Sequence, residues 1–228
     1  MLILRICLTA LIATMVAVPA AAAPAAGDIY VYRVLNGYNK ELRGTVSYRI
    51  DKAEANRVEM SVATDAPALG TARTEIYTND GNWLRHVLTN HDQLVNYEFS
   101  PAFPAYVYPL EPGKSWSVRV SAVDSATGRR NSVRVDGKVL GNERVTTPAG
   151  AFDSIKVRRD VYAGDWDSFL RETHTIETDW YAPALGRPVR MESKSEWQDM
   201  SRCSKGGCPW FHSDWNVSDL AEIRPAKP

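Results

Sequence analysis

Four residues near the C-terminus have side chains of the types that bind zinc: Cys203, Cys208, His212 and Asp214. Thiolate, imidazole and carboxylate groups are the usual zinc ligands, and four of them complete a structural site. The N-terminus carries an export signal, however, and cysteines of exported proteins are usually oxidised to disulfides. The Gly-Gly pair at 206–207 lets the chain turn between the two thiols. We therefore predict a disulfide between Cys203 and Cys208 and no metal site.

The chain has few groups arranged for hydrolytic catalysis. It contains neither the G-x-S-x-G turn of serine hydrolases nor the H-E-x-x-H sequence of zinc proteases. Glu172 and Glu177 fall on opposite faces of one predicted strand, so they are not an obvious acid–base pair; a pair built from distant strands stays open. His174 alternates with Glu172 and Ile176, which is typical of a packing or solvent-facing residue. We predict no catalytic residues and no cofactor.

A second kind of chemistry is the binding of an apolar ligand by aromatic rings. Between residues 99 and 113, four prolines alternate with Phe99, Phe103, Tyr106 and Tyr108. Prolines at this density exclude a central strand and favour an extended surface segment. Such a segment either forms an aromatic lip over a pocket or crosses one end of the fold. We favour the crossover and retain the four aromatic residues as candidate ligand contacts.

Tryptophans are concentrated in the last third of the chain, and they divide into two groups. Trp116, Trp180 and Trp197 lie on predicted strands, where large aromatic side chains usually belong to the core. The other candidates fall in less regular segments, in which an exposed ring is available to stack on a sugar or to contact an apolar molecule: Trp166, Trp210 and Trp215. We add these three to the candidate ligand-binding residues.

The first 22 residues have the organisation of a secretory signal peptide. Arg5 provides the positive charge, residues 6–18 form an apolar run, and Ala20-Ala21-Ala22 is a small-residue cleavage site. The apolar run is too short to span a membrane, which takes about 20 residues. We predict cleavage after Ala22 and a periplasmic or secreted chain, residues 23–228, with no transmembrane segment.

The charge of the chain argues against two classes of partner. It carries 27 basic and 27 acidic residues, and removal of Arg5 with the signal leaves one more acid than base. Proteins that bind nucleic acid or an anionic membrane surface usually carry a basic excess. We predict neither partner, which leaves a small apolar or amphipathic ligand or another protein of the cell envelope.

Strand and turn signals dominate residues 23–228. Asn36-Gly37, Asn79-Asp80-Gly81-Asn82 and Ser125-Ala126-Thr127-Gly128 each separate two runs rich in strand-forming residues, which is the pattern of a β-hairpin. The helix–strand alternation that builds parallel sheets is absent from the sequence pattern. We predict an all-β fold: a single antiparallel barrel-like or sandwich domain of about 11–12 strands with little helix. A disulfide-stapled tail at 198–228 ends it.

A strand–corner–strand pattern occurs twice between Glu143 and Glu192. In the first copy Pro148 ends a strand and Gly150 turns the chain, and Phe152 follows as an apolar anchor. The next strand alternates cleanly until Arg159-Asp160, where an apparent change of register predicts a β-bulge. In the second copy the corner follows Trp180 and Tyr181 and contains two turn residues, Pro183 and Gly186.

Both corners resemble motifs of a known group of proteins. Pro148-Ala149-Gly150-Ala151-Phe152 and Trp180-Tyr181-Ala182-Pro183-Ala184-Leu185-Gly186 are similar to paired motifs in a broad group of exported proteobacterial β-rich proteins of unknown function. Pro109-Leu110-Glu111-Pro112-Gly113-Lys114-Ser115-Trp116 resembles a third motif of that group, so the likeness spans Tyr106 to Met191. It implies a β-rich domain of the cell envelope and supplies no catalytic residues.

Taken together, these patterns favour a non-enzymatic periplasmic domain that binds an apolar or amphipathic molecule. Antiparallel barrels enclose pockets, and aromatic residues occur in several loops. The main alternative is a structural or interaction module of a cell-envelope assembly, and a glycan-processing enzyme is a weaker one. A barrel interior filled entirely by side chains would exclude the binding hypothesis, whereas an open interior supports it.

Overall fold

Twelve of the thirteen strands in the described part of the chain close into one antiparallel barrel. The computed structural model describes residues 25–91, 93–164 and 172–226. Each strand pairs with the next from β1 to β11, and β13 joins β11 to β1 and completes the ring, while the short β12 adds to β11. The strands are β1 (Ile29–Asn36), β2 (Leu42–Glu54), β3 (Arg57–Thr64), β4 (Arg73–Tyr77), β5 (Trp83–Asn90), β6 (Gln93–Phe103), β7 (Ser115–Asp124), β8 (Arg130–Thr147), β9 (Gly150–Ala163), β10 (Thr173–Ala182), β11 (Arg187–Gln198), β12 (Trp210–His212) and β13 (Asn216–Arg224).

The predicted all-β antiparallel fold is confirmed, and it takes the form of a closed barrel and not of a sandwich. The described residues include two 3₁₀ turns, Pro67–Leu69 and Met200–Arg202, and no longer helix. No helix within the described ranges is long and apolar enough to cross a membrane. The predicted signal peptide, residues 1–22, lies outside the described residues, so its cleavage stays a prediction.

The first predicted corner forms the tip of the β8–β9 hairpin. Pro148 and Ala149 lie in the turn, and Gly150 has a φ of 135°, a conformation that other residues rarely adopt. The backbone N–H of Ala149 donates a hydrogen bond to the carbonyl oxygen of Leu220 in β13, at 3.1 Å. Phe152 packs against the buried cluster that contains Leu220. The corner therefore attaches this hairpin to β13.

The bulge predicted at Arg159-Asp160 is wrong. Strand β9 pairs there without interruption with both β8 and β10, and the nearby bulge lies in β8 between Val139 and Gly141. The apparent change of register arises because Arg159 occupies an inward position between Val157 and Val161 and is only 2% exposed. The barrel interior thus holds a charged side chain where the alternation predicts an apolar one.

Apolar side chains fill the barrel beside β6–β9. The buried cluster on this side includes seven small or β-branched residues: Val120, Ala122, Val133, Val135, Val139, Val157 and Val161. Gly137 on β8 lies opposite Trp116 on β7, and a Cβ added at Gly137 would lie 2.1 Å from Cε2 of the indole. The glycine thus leaves room for the tryptophan. The wall formed by β1–β5 borders a cavity instead.

The proline-rich segment between β6 and β7 crosses the barrel beside the β4–β5 turn. The backbone N–H of Tyr106 donates to Oδ1 of Asn82 at 2.8 Å, and the Tyr108 hydroxyl donates to the carbonyl oxygen of Asp80 at 3.2 Å. Tyr106 is buried, and Tyr108 is partly exposed. The placement of residues 104–112 agrees with the crossover interpretation. The exclusion of a strand is wrong for the first part of the segment, since β6 continues through Pro101 to Phe103.

Candidate ligand-binding cavity

The barrel encloses a cavity of about 600 Å³. Strands β1–β5, β9–β11 and β13 contribute to its walls, together with Tyr106 from the proline-rich segment. A volume of this size is typical of sites for small organic ligands, which occupy about 300–1,000 Å³. Much of the lining is apolar, and its members include Val34, Val46, Ile50, Val58, Met60, Leu88 and Met191.

One end of the cavity is open to solvent, and its rim combines apolar side chains with polar ones that include His91, Gln93 and Asp214. The 3₁₀ turn Pro67–Leu69 and the first residues of β6 meet there, and Leu94 is 52% exposed although it also lines the cavity. Trp197, near the end of β11, lies edge-on to His91 with ring centroids 6.3 Å apart. An apolar molecule would enter along the apolar side chains, which do not have to be dehydrated at high cost.

Tyr106 is the one predicted ligand-binding residue that lines the cavity among the residues that the structure describes. Phe99 and Phe103 belong to the buried core, where Phe103 stacks on Trp83 with ring centroids 4.3 Å apart. Tyr108 is 43% exposed and lies outside the cavity. The proline-rich segment therefore contributes one ring to the candidate site, and its other aromatic residues support the fold or face solvent.

The three tryptophan candidates lie away from the cavity or outside the described residues. Trp210 is 55% exposed on β12, and Trp215 packs edge-on against Tyr38 with ring centroids 5.4 Å apart. Trp166 falls in the segment 165–171, which the structure does not describe. Of the tryptophans assigned to the core, Trp180 is buried, whereas Trp197 lines the cavity.

Arg159 of β9 is almost fully buried in the barrel, and two carboxylates of β10 bind it. Its Nε donates to Oε2 of Glu177 at 3.0 Å, and its Nη2 donates to Oδ2 of Asp179 at 2.8 Å. Its Nη1 donates to the backbone carbonyl of Ala105 at 3.3 Å. Burial raises the pKa of Glu177, and the Arg159 charge opposes that rise. These partners compensate the cost of burying the guanidinium.

Tyr106 connects the proline-rich segment to this ion-pair network. Its hydroxyl donates to Oδ2 of Asp179 at 2.6 Å. Burial, and then the neighbouring Asp179 carboxylate, raise the pKa of Tyr106 well above its usual range, so that the hydroxyl stays a neutral donor. The network therefore fixes the segment at the barrel wall through a hydrogen bond to a charged group.

A second network surrounds Glu75 of β4, which is fully buried. Arg73 Nε donates to its Oε1 at 2.7 Å, His86 Nδ1 lies 2.8 Å from its Oε2, and the Tyr77 hydroxyl donates to Oε2 as well. Burial by itself would raise the pKa of Glu75, but the adjacent His86 and Arg73 and the Tyr77 hydroxyl lower it to about 2. Arg73, Glu75 and Tyr77 are two residues apart on one strand, so all three point inward.

The second corner brings a third arginine to the cavity, which the sequence interpretation missed. Gly186, with a φ of 63°, turns the chain into β11, and Arg187 follows. Arg187 Nε donates to the Tyr32 hydroxyl at 2.9 Å, and that hydroxyl donates to the carbonyl oxygen of Pro188 at 2.7 Å. The guanidinium lies 3.8 Å from the ring centroid of Tyr30. The residues of the corner thus do more than turn the chain.

The C-terminal tail contains a disulfide between Cys203 and Cys208. The other two candidate metal ligands have different neighbours: Asp214 forms an ion pair with Arg43, and His212 Nδ1 lies 3.7 Å from Oε2 of Glu196. Within the described ranges, no group of three or more His, Cys, Asp or Glu side chains is arranged to hold a metal ion.

Residues 113–201 match the DUF3108-like family. The matched segment contains strands β7–β11 and therefore Arg159, both of its carboxylate partners and Arg187. It overlaps the segment Tyr106 to Met191, on which the resemblance seen in the sequence rests. No curated protein matches the chain.

Two solved structures share the fold. A candidate lipoprotein from Parabacteroides distasonis is 19% identical, with a TM-score of 0.53 over 88% of this chain and 96% of that chain. A candidate exported protein with a YmcC-like fold from Bacteroides fragilis is 18% identical, with a TM-score of 0.50 over 87% of this chain and 96% of that chain. At such low identities the likeness establishes the fold and not the activity.

Proposed function

We propose that this protein binds a small apolar or amphipathic molecule inside its barrel. The observation that carries the proposal is the cavity of about 600 Å³, whose lining is in large part apolar and which is open to solvent at one end. A barrel that served only as a structural module would be more stable with this space filled, because an unfilled interior loses packing contacts. The charged networks then supply the few polar groups that orient a ligand.

We further propose that the protein acts in the cell envelope. The sequence of residues 1–22 supports export. The solved structures that share the fold are described as a lipoprotein and as an exported protein, which agrees with such a location. A carrier or sensor of poorly soluble molecules would have an evident use there, since such molecules cross the aqueous space only when a protein shields them.

Native mass spectrometry of the protein purified gently from the periplasm tests the proposal, with a denaturing spectrum beside it. We expect a mass excess in the native spectrum that is lost on denaturation. A ligand-free monomer that also fails to take up a neutral apolar probe, N-phenyl-1-naphthylamine, would contradict the proposal. A ligand-free dimer would favour the alternative, an interaction module of an envelope assembly.

A cavity-filling variant locates the bound molecule. Met60 lines the cavity and is half-buried, so Met60→Trp should occupy part of the ligand space and reduce probe uptake. Its control is Val118→Trp at a residue that is 37% exposed on β7 and does not line the cavity. Thermal melting of both variants checks folding, since overpacking typically costs about 1–3 kcal/mol. Equal uptake by both variants would show that the probe binds elsewhere.

A further inference from the structure

The three arginines that line the cavity differ in how their charge is compensated. Arg73 has the Glu75 carboxylate as its partner, and Arg159 has two carboxylates. Arg187 forms no ion pair with any residue that the structure describes. Its neighbours are aromatic: the guanidinium lies 3.8 Å from the ring centroid of Tyr30 and 5.5 Å from that of Tyr48. The Arg187 guanidinium thus packs against tyrosine rings and bonds to one tyrosine hydroxyl, and no carboxylate of the described residues neutralises its charge.

The contacts of Arg187 leave one edge of its guanidinium available. Nε is occupied by the Tyr32 hydroxyl, at 2.9 Å, and the Tyr30 side chain also interacts with the guanidinium, whereas Nη1 and Nη2 make no close hydrogen bond within the described part of the chain. Tyr32 is itself fixed by its hydrogen bond to Pro188, so it acts as a positioning residue for Arg187. Two parallel N–H groups in a fixed plane match the two oxygens of a carboxylate.

The Tyr48 side chain is a third possible donor close to Arg187, with its ring centroid 5.5 Å from Cζ of the guanidinium. Its ring lines the cavity, and its hydroxyl makes no hydrogen bond to another described residue. Burial, and then the nearby Glu75 carboxylate, raise the pKa of Tyr48, which keeps the hydroxyl protonated. A neutral phenol beside a guanidinium can donate to an anion but adds no competing charge.

We propose that Arg187 and the Tyr48 hydroxyl bind the carboxylate headgroup of an amphipathic ligand whose hydrocarbon chain lies along the apolar wall. The inference rests on the proposed function and names its ligand class: a single-chain carboxylate of the fatty-acid type. Arg187 begins β11 and Trp197 of the rim lies ten residues further along that strand. The two ends are therefore about 30 Å apart along the strand, which leaves space for a chain between headgroup and rim.

The positive charge of Arg187 argues against a cationic headgroup at this position. The carboxylates of Glu177 and Asp179 are both bound to Arg159 and are not free to receive an ammonium group. A cation at this end of the cavity would meet Arg187 in surroundings of lower polarity than water, in which repulsion between like charges is stronger. An alcohol of the same chain length would gain the apolar contacts without the charged ones.

The experiment compares dodecanoate, dodecanol and dodecylamine as competitors of N-phenyl-1-naphthylamine. The variants are Arg187→Met, Tyr48→Phe and a matched control, Arg190→Met. Arg190 lies on the same strand, bonds to Asp219 at 2.5 Å and does not line the cavity. Thermal melting of each variant separates loss of folding from loss of binding.

We expect the wild type to bind dodecanoate about 10- to 100-fold more tightly than dodecanol, because hydrogen bonds to charged groups increase affinity by about this factor. Arg187→Met should remove this preference, lowering the affinity for dodecanoate far more than the affinity for the probe or for dodecanol. Tyr48→Phe should lower dodecanoate affinity about tenfold. Arg190→Met should behave as the wild type.

Two kinds of failure are distinguishable. If the wild type takes up the probe but Arg187→Met binds dodecanoate as tightly as the wild type does, or dodecylamine is the preferred competitor, the headgroup assignment is wrong and the proposed function stands. If the wild type takes up neither the probe nor any of the three competitors, the proposed function is wrong and this inference with it.

Discussion

Replacing Arg159 with methionine should lower the free energy of unfolding by about 3–5 kcal/mol at pH 7, because removal of one partner of a buried ion pair leaves an uncompensated charge. Arg159 is 2% exposed, and the side chains of its partners Glu177 and Asp179 are 12% and 7% exposed. The variant keeps much of the side-chain volume, so the loss reports the orphaned carboxylates and the freed Ala105 carbonyl more than a new void.

The adjacent residue provides a matched control. Arg158 points outward on the same strand, its side chain is 45% exposed, and its Nε lies 3.1 Å from Oδ2 of Asp160. Exposed ion pairs contribute about 0–1 kcal/mol to stability, so the urea midpoint of Arg158→Met should be close to that of the wild type. Urea unfolding followed by tryptophan fluorescence measures the stability of both variants. The difference between their midpoints shows how much more the loss of a buried arginine costs than the loss of an exposed one.

The pH dependence of the deficit tests its cause. Without Arg159, nothing opposes the effect of burial, which holds the folded-state pKa of Glu177 above its unfolded value, so the folded state is penalised wherever this group would ionise. The deficit should be complete at neutral pH and should shrink as the pH falls towards about 4, where unfolded carboxyl groups are also protonated. Equal midpoints for the two variants, or a deficit that grows in acid, would refute the reasoning.

Three further predictions concern other parts of the barrel. Because its pKa is lowered from 4.5 to about 2, ionised Glu75 contributes about 3 kcal/mol to the free energy of unfolding above pH 4.5, and this contribution is lost as the pH falls towards 2. In urea unfolding across this pH range, Glu75→Gln should therefore depend much less on acid than the wild type does. Gly137→Ala should cost about 1–3 kcal/mol in the same assay, because its Cβ would meet the Trp116 indole, and Trp116→Leu should recover part of the loss. Replacing Cys203 and Cys208 with serine should cost at most about 2 kcal/mol, by loop-closure entropy, and should leave probe uptake unchanged.

Local signals explain why the strands were predictable. Asn36-Gly37 and Ser125-Ala126-Thr127-Gly128 lie at the turns after β1 and β7, where turn residues and the period of two act over a few neighbouring positions. Closure of the barrel depends on a pairing of Ile29 with Arg224, at opposite ends of the described chain. No local pattern encodes such a distant pairing, which is why the sequence left barrel and sandwich both open.

The charged interior was predictable only in part. The run Val157, Arg159, Val161 places an arginine at an inward position, and the sequence alone predicts a bulge there because charged residues are rarely buried without a partner. The partner, Glu177, faces Arg159 directly across the β9–β10 pair. Only the register between the two strands brings them together. The buried charge of Arg159 therefore has no visible partner in the sequence, but it has one in the folded barrel.

The same reasoning separates the paired arginines from Arg187. Ion pairs in a protein interior usually contribute no more stability than apolar residues of similar size, so the Arg159 network has value mainly in fixing one arrangement of the barrel wall. Arg187 lacks a carboxylate in the described part of the chain, and aromatic rings compensate only part of the cost of moving its charge out of water. A barrel selected for stability alone would replace such a residue. Its presence in the cavity, next to the β10–β11 corner, is understandable if the missing negative charge arrives with the ligand.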